Sequence, residues 1–262
     1  MTSLIRKSLR GQRRVLLGWL LGLACYATIY SSFYGRFDEI AAAKFDAMPE
    51  AMRTAFGWSS GFSTGAGYLD AVIYSMIGPL LLIVFAIVLG NRGIARPEDG
   101  GQLDFYLANP ISRNRFLTGR YLILAGGILA GAAVILIAVL SFAVTMDMGI
   151  GIANIIAATS GMALVALVFG TLAFAVGAAT GRPGTVLGTA GAVVVAAYMC
   201  KVLSDLIDEL SWLRWLSPFH YYTANQPLLH GLHPGHTLVL VALVTGLLAV
   251  SFVTFNRRDV GV

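Results

Sequence analysis

Charge is scarce in this chain. Lys, Arg, Asp and Glu make up only 12% of its 262 residues, whereas water-soluble domains carry about 25%. With 57% hydrophobic residues and a mean hydropathy of +0.78, the shortfall argues against a soluble domain and for an integral membrane protein of one domain, residues 1–262. Cysteine is nearly missing too. Cys25 and Cys200 each stand alone in an apolar run, which argues against a disulfide framework and leaves two packing thiols. The first apolar run continues past Phe33 with no small-residue cleavage pattern, so no removable leader is expected.

Chemical motifs are missing as well. "GAATGRPGT" resembles a phosphate loop on the surface, but it lacks the G-x-x-x-x-G-K-[ST] spacing and its lysine. ATP hydrolysis is therefore not expected in this chain. Asp70, Asp147 and Lys201 fall at the ends of apolar runs, and none falls at a midplane. That disfavours a proton pump or ion-coupled carrier, although unwound backbone can hold sodium without charge. His220, His230, His233 and His236 lie close in sequence, but Pro234-Gly235 breaks any shared helical face. They read as solvated loop histidines, with no metal site. No Ser or Thr stands with a His and a carboxylate in a recognisable hydrolytic setting.

What is present is apolar length. A bilayer core needs roughly 20 apolar residues per helix, and six runs qualify: 15–34, 71–90, 121–145, 155–176, 185–202 and 237–255. Lipid offers no partner to open backbone groups, so these runs must be helices. The fold class is an all-α membrane protein, a six-transmembrane-helix polytopic bundle. Small residues at helical spacing, Gly127/Gly131 and Gly184/Gly188, predict close helix contacts, and Pro79 predicts a kink in the second span.

Basic residues set the expected orientation. Arg6, Lys7, Arg10, Arg13 and Arg14 precede span one. Arg92, Arg96, Arg113, Arg115 and Arg120 lie between spans two and three, Arg182 between four and five, and Arg257 and Arg258 after six. Only Arg36, Lys44, Arg53, Lys201 and Arg214 fall on the other side. Both termini and residues 91–120 are therefore expected in the cytoplasm. This bias accounts for the net charge of +5 without a nucleic-acid partner.

Three amphipathic pieces complete the pattern. Residues 1–14 place Leu4, Ile5 and Leu9 on one face and the basic residues around the rest, an interfacial helix held by anionic lipid; the alternative is a disordered basic tail. In the 35–70 loop, "FDAMPEAMRTAFG" predicts a short helix with Pro49 in its first turn and Gly57 at its end. Residues 203–236 form an external helical segment. There Leu203, Leu206, Ile207, Leu210 and Leu213 share a face, with Trp212, Trp215, Pro218, Phe219, Tyr221 and Tyr222 as an external cap or an aromatic belt.

The segment 91–120 is longer than a simple turn requires. Pro97-Glu98-Asp99 starts a helix, and Leu103, Tyr106 and Leu107 recur on one face. Asn109-Pro110 ends the helix, and Ser112 caps span three. Glu98, Asp99 and Asp104 turn this helix away from anionic lipid and toward a protein.

"ARPEDGGQLDFYLANPISRNRFLTGRYL" resembles the cytoplasmic segment between spans two and three of bacterial type-2 ATP-binding-cassette exporter permeases. The resemblance lies in Glu98-Asp99-Gly100-Gly101 before a short helix and in the Pro110-Ile111-Ser112-Arg113 turn. "LRWLSPFHYY" and "FNRRDVGV" are similar to the same family, which the chain matches in order along its length. The resemblance implies a plasma-membrane subunit that pairs with an identical or related permease and with two cytoplasmic ATPase subunits. Those subunits would hold ATP and Mg; this chain would need no cofactor. The Glu98–Leu107 helix would be the coupling helix, with Arg113 in its exit turn and Arg182 in a second, smaller contact. The exported substrate would be lipophilic or amphipathic. The alternative is an ATPase-linked anchor or mechanotransmitter that acts on an external partner and passes no substrate.

Overall fold

The computed structural model describes residues 2–36, 47–56, 58, 64–101 and 112–258; for residues 2–12, 36 and 50 it describes the backbone alone. Six helices are long and apolar enough to cross a membrane, and no strand occurs among the described residues. The chain is an all-α polytopic membrane protein. Leu103, Asp104, Tyr106 and Leu107, which sequence assigns to a coupling helix, lie outside the described residues, as do Gly57 and the side chains of Arg6, Lys7 and Arg10.

Helix α1, Thr2–Ser32, carries the basic N-terminal turns and the first span without interruption. At 1.5 Å per residue it is about 46 Å long, well beyond a hydrocarbon core of about 30 Å. Sequence had placed a separate interfacial helix before residue 15. No proline intervenes, and the helix runs through Gly11 unbroken, so the basic turns are continuous with the span that begins at Arg13. Helix α2, Glu50–Phe56, follows Pro49 as expected.

Span two is interrupted. Helix α3, Gly65–Leu69, is capped by Thr64, whose hydroxyl accepts from the Gly67 N–H at 3.1 Å. A π-helical turn over Asp70–Tyr74 follows, and α4, Ile77–Gly93, resumes after Met76. The break lies on the N-terminal side of Pro79, which itself sits in the first turn of α4. Proline lacks the N–H that the Ser75 carbonyl would accept, and its ring crowds that carbonyl, so the wider turn forms ahead of it. Gly78 is required there, because a Cβ would strike the Ile73 carbonyl oxygen.

Helix α5, Ala95–Asp99, ends where sequence places a helix start: Pro97, Glu98 and Asp99 form its last turn, and Gly100 with left-handed Gly101 terminates it. Helix α6, Arg113–Thr145, starts at Ser112, whose hydroxyl accepts from the Arg115 N–H at 3.4 Å. Next come α7, Ile152–Thr180, and α8, Pro183–Leu206. The expected external helix does not continue from α8. Ile207 is extended, and Asp208–Leu216 forms a 3₁₀ helix with no buried residue. The five leucine and isoleucine positions thus share no single face, because the extended Ile207 separates the end of α8 from the 3₁₀ helix. Short α9, Pro218–Thr223, and α10, Pro227–His230, lead to α11, Pro234–Arg257. Proline opens each of α8 to α11, at the position where its missing N–H costs nothing.

Helix α7 is the centre of the bundle: 72% of its most apolar stretch is buried, against 17% for those of α1 and α11. It crosses α4 so closely that a Cβ on Gly90 would lie 2.7 Å from the Gly170 carbonyl oxygen and 2.9 Å from Ala173 Cβ. Gly127 and Gly131 of α6 receive Leu89 and Leu82, as their spacing predicts. Gly184 and Gly188 face open space within this chain, so the contact expected there does not form inside the bundle. Tyr121 of α6 and Thr171 of α7 share a hydroxyl hydrogen bond at 3.0 Å.

Gly90→Ala is expected to cost about 1–3 kcal/mol, because the obstacle is backbone. Gly246→Ala, whose added methyl meets nothing within 4 Å, should be neutral or mildly stabilising. Thermal unfolding midpoints of the two purified variants check this, and equal effects would disprove the close crossing.

Candidate coupling end and aromatic cap

The bundle has two chemically different ends. One gathers the start of α1, α5, the start of α6, the α7–α8 turn and the end of α11, and it carries Arg13, Arg14, Arg96, Arg113, Arg115, Arg182, Arg257 and Arg258. The other gathers α2, α3, the π turn, the 3₁₀ helix, α9 and α10. We term them the basic end and the capped end.

At the basic end, Arg258 ties four segments together. Its guanidinium forms an ion pair with Glu98 on α5 and donates to the Ala178 carbonyl of α7 at 3.2 Å. Its own carbonyl, with that of Phe255, accepts from Arg113 Nη1 at 2.9 and 3.5 Å. Asn256 Nδ2 donates to Asn114 Oδ1 at 2.7 Å. Gly181, with φ +65°, lies directly over the Glu98–Arg258 pair, where a Cβ would collide with both side chains. Both charged groups are largely shielded, so hydrogen bonding there contributes about 1.5–3 kcal/mol.

The sequence-derived site residues divide accordingly. Glu98 and Arg113 point into this knot. Asp99, Gly100, Gly101 and Arg182 are exposed at the same end. Gly100 and Gly101 terminate α5, their N–H groups bonding to the Arg96 and Glu98 carbonyls at 3.1 and 2.9 Å; Gly101 has φ +64°. Arg13 and Arg14 are exposed on α1. Arg258 was read from sequence only as a topology charge and as part of the C-terminal resemblance. Its partner is 160 positions earlier in the chain, and no local pattern marks such a pair.

The aromatic residues at the capped end also divide. Trp212 and Trp215 are 58% and 53% exposed, which suits an interfacial position. Phe219 and Tyr222 are buried. Phe219 packs between Phe169 and Tyr198, with ring centroids 5.5 Å from each. Pro218 opens α9, and Tyr221 donates to the Trp215 carbonyl at 2.8 Å. His220, His233 and His236 gather beside these rings, with His233 and His236 centroids 4.7 Å apart. Burial first, then His236 and Arg214, push the His220 pKa below its usual value, which favours the neutral imidazole. Among the described residues no three of His, Cys, Asp and Glu converge as metal ligands would.

The π turn needs the cap. Its broken ladder leaves carbonyls that lipid cannot satisfy, and aromatic donors from three elements reach them. Tyr26 of α1 donates to the Val72 carbonyl, Trp58 Nε1 to that of Ala71 at 3.1 Å, and Tyr222 of α9 to that of Tyr74 at 2.9 Å. Tyr74 and Thr159 of α7 share a hydroxyl hydrogen bond at 2.9 Å.

Arg258→Ala and Glu98→Gln should each lower the thermal midpoint, the former more because it also loses the Ala178 bond. A double-mutant cycle should return a coupling of about 1–2 kcal/mol; additive losses would show that the pair does not interact.

Residues 5–256 match the sequence family described as "Multidrug efflux system permease Rv1217c, C-terminal domain". No curated protein matches the chain.

Proposed function

This chain belongs to the family of the multidrug efflux system permease Rv1217c C-terminal domain, and from that premise we propose that it is the membrane subunit of an ATP-driven, type-2 ATP-binding-cassette exporter. It works beside an identical or related permease in a bacterial plasma membrane, with both termini in the cytoplasm. Two cytoplasmic ATPase subunits bind ATP and Mg and supply the work. The exported compound is lipophilic or amphipathic.

The observation that carries this reading is the exposed acidic-glycine end of α5. Asp99, Gly100 and Gly101 stand at the same end as the Arg182 turn and the basic turns of α1. Residues 102–111, with Leu103, Asp104, Tyr106 and Leu107, continue from that point as the segment that docks on the ATPase. Glu98 has a different task from Asp99. Through Arg258 it holds α5 to α7 and α11, so a pull on the docking segment reaches the middle of the bundle.

The test separates docking from internal structure. Asp99→Lys and Leu103→Pro should abolish ATP-dependent efflux and ATPase stimulation in reconstituted vesicles while insertion and thermal midpoint stay near wild type. Glu98→Gln should lower the midpoint first. Full efflux by both docking variants would refute the coupling assignment. ATPase stimulation without solute accumulation by the unmodified complex would favour a mechanotransmitter instead.

A further inference from the structure

At the capped end a cavity of about 420 Å³ opens between the π turn, the end of α8, α9 and Trp58. Small-molecule sites are typically about 300–1,000 Å³. Asp70 and Lys201, which sequence placed at helix ends without assigning them a role, meet on its wall with Asp205 and His220. We infer that this cavity is a binding site for lipophilic compounds carrying a protonated amine.

The charge arrangement selects the sign of the ligand. Lys201 is only 8% exposed, and its ammonium lies 2.9 Å from Asp205 Oδ2, so that cation already has its counter-ion. Among the described residues no cation forms an ion pair with Asp70; Lys201 acts on it only at longer range, its ammonium being held by Asp205. Burial favours the neutral form of His220, so it does not offset the carboxylates. Two carboxylates facing one ammonium leave the cavity one negative charge in excess. A carboxylate inside a candidate span is costly to keep there and marks function by default.

The walls select the rest of the ligand. Trp58 and Tyr222 both line the cavity, and both commit their polar hydrogens to π-turn carbonyls. They therefore contribute ring surface, which favours apolar groups and attracts an ammonium through its π face. The interruption of span two is what brings these groups together: Asp70 and Ser75 bracket the π turn, and two of the donors that satisfy the turn, Trp58 and Tyr222, line the same cavity. The binding claim is independent of the exporter reading; only the use of the site as a station for exported compounds rests on it.

The test is equilibrium binding to the full chain, purified with its native partners into nanodiscs. The probes are three ligands of one shape: 1-naphthylmethylamine, 1-naphthylmethanol and 1-naphthoate. The amine should bind about tenfold or more tightly than the alcohol, and the naphthoate most weakly. Asp70→Asn should remove that preference, while Asp208→Asn, on the exposed 3₁₀ helix, should leave it intact. Lys201→Met should tighten the amine by about threefold or more, a gain that misfolding does not produce. Equal affinity for amine and alcohol, a preference for naphthoate, or undiminished amine binding to Asp70→Asn would overturn the assignment, as would weaker amine binding to Lys201→Met. Loss of efflux with amine binding intact would count against the exporter reading alone.

Discussion

A helix broken within a candidate membrane span must find donors for the carbonyls it frees, and the capped end of this protein is organised around that demand. The π turn over Asp70–Tyr74 exposes the carbonyls of Ala71, Val72 and Tyr74, and three aromatic side chains from three separate segments answer them. Water would satisfy such groups at little cost, but hydrocarbon leaves each one several kcal/mol above its hydrogen-bonded state. The cap is therefore more than a lid. It completes the hydrogen bonding of span two, and it can leave only by exposing backbone.

The rest of the bundle supplies a fixed frame for that turn. Helix α7 is buried along most of its length and lies against α4 at Gly90 and Gly170. The same helix holds Tyr74 through Thr159 near one end and receives Arg258 on the Ala178 carbonyl at the other. A single packed element thus connects the basic knot with the capped cavity. Within the exporter reading, it is the physical route by which docking at one end biases the site at the other.

The sequence made some of this plain and hid the rest. Six apolar runs announce six helices because lipid leaves the backbone no alternative. Ser112, Pro49 and the Gly127/Gly131 pair are local signals, and each marks the feature expected of it. Pro79 announces an interruption, but the wider turn lies ahead of the proline, since its ring acts on the preceding carbonyls. Ile207 breaks a pattern that periodicity alone reads as one helix. Gly184 and Gly188 have the spacing of a packed pair yet meet nothing within 4 Å in the chain, while Gly90 and Gly170, 80 residues apart, form a close backbone crossing. Arg258 with Glu98, and Asp70 with Lys201, are likewise meetings of distant residues that only the fold brings about. The assignment of Leu103, Asp104, Tyr106 and Leu107 to a docking segment rests on their sequence pattern and resemblance.

The most direct measurement of the central claim is hydrogen–deuterium exchange of the 218–230 backbone in Tyr222→Phe. That change removes one hydroxyl and nothing else from the cap. If the Tyr74 carbonyl depends on it, exchange across α9 and α10 should quicken by about tenfold, as expected for the loss of a buried hydrogen bond worth about 1–2 kcal/mol. Exchange at the wild-type rate would contradict the account, for it would mean that the cap stays in place without satisfying the turn beneath it.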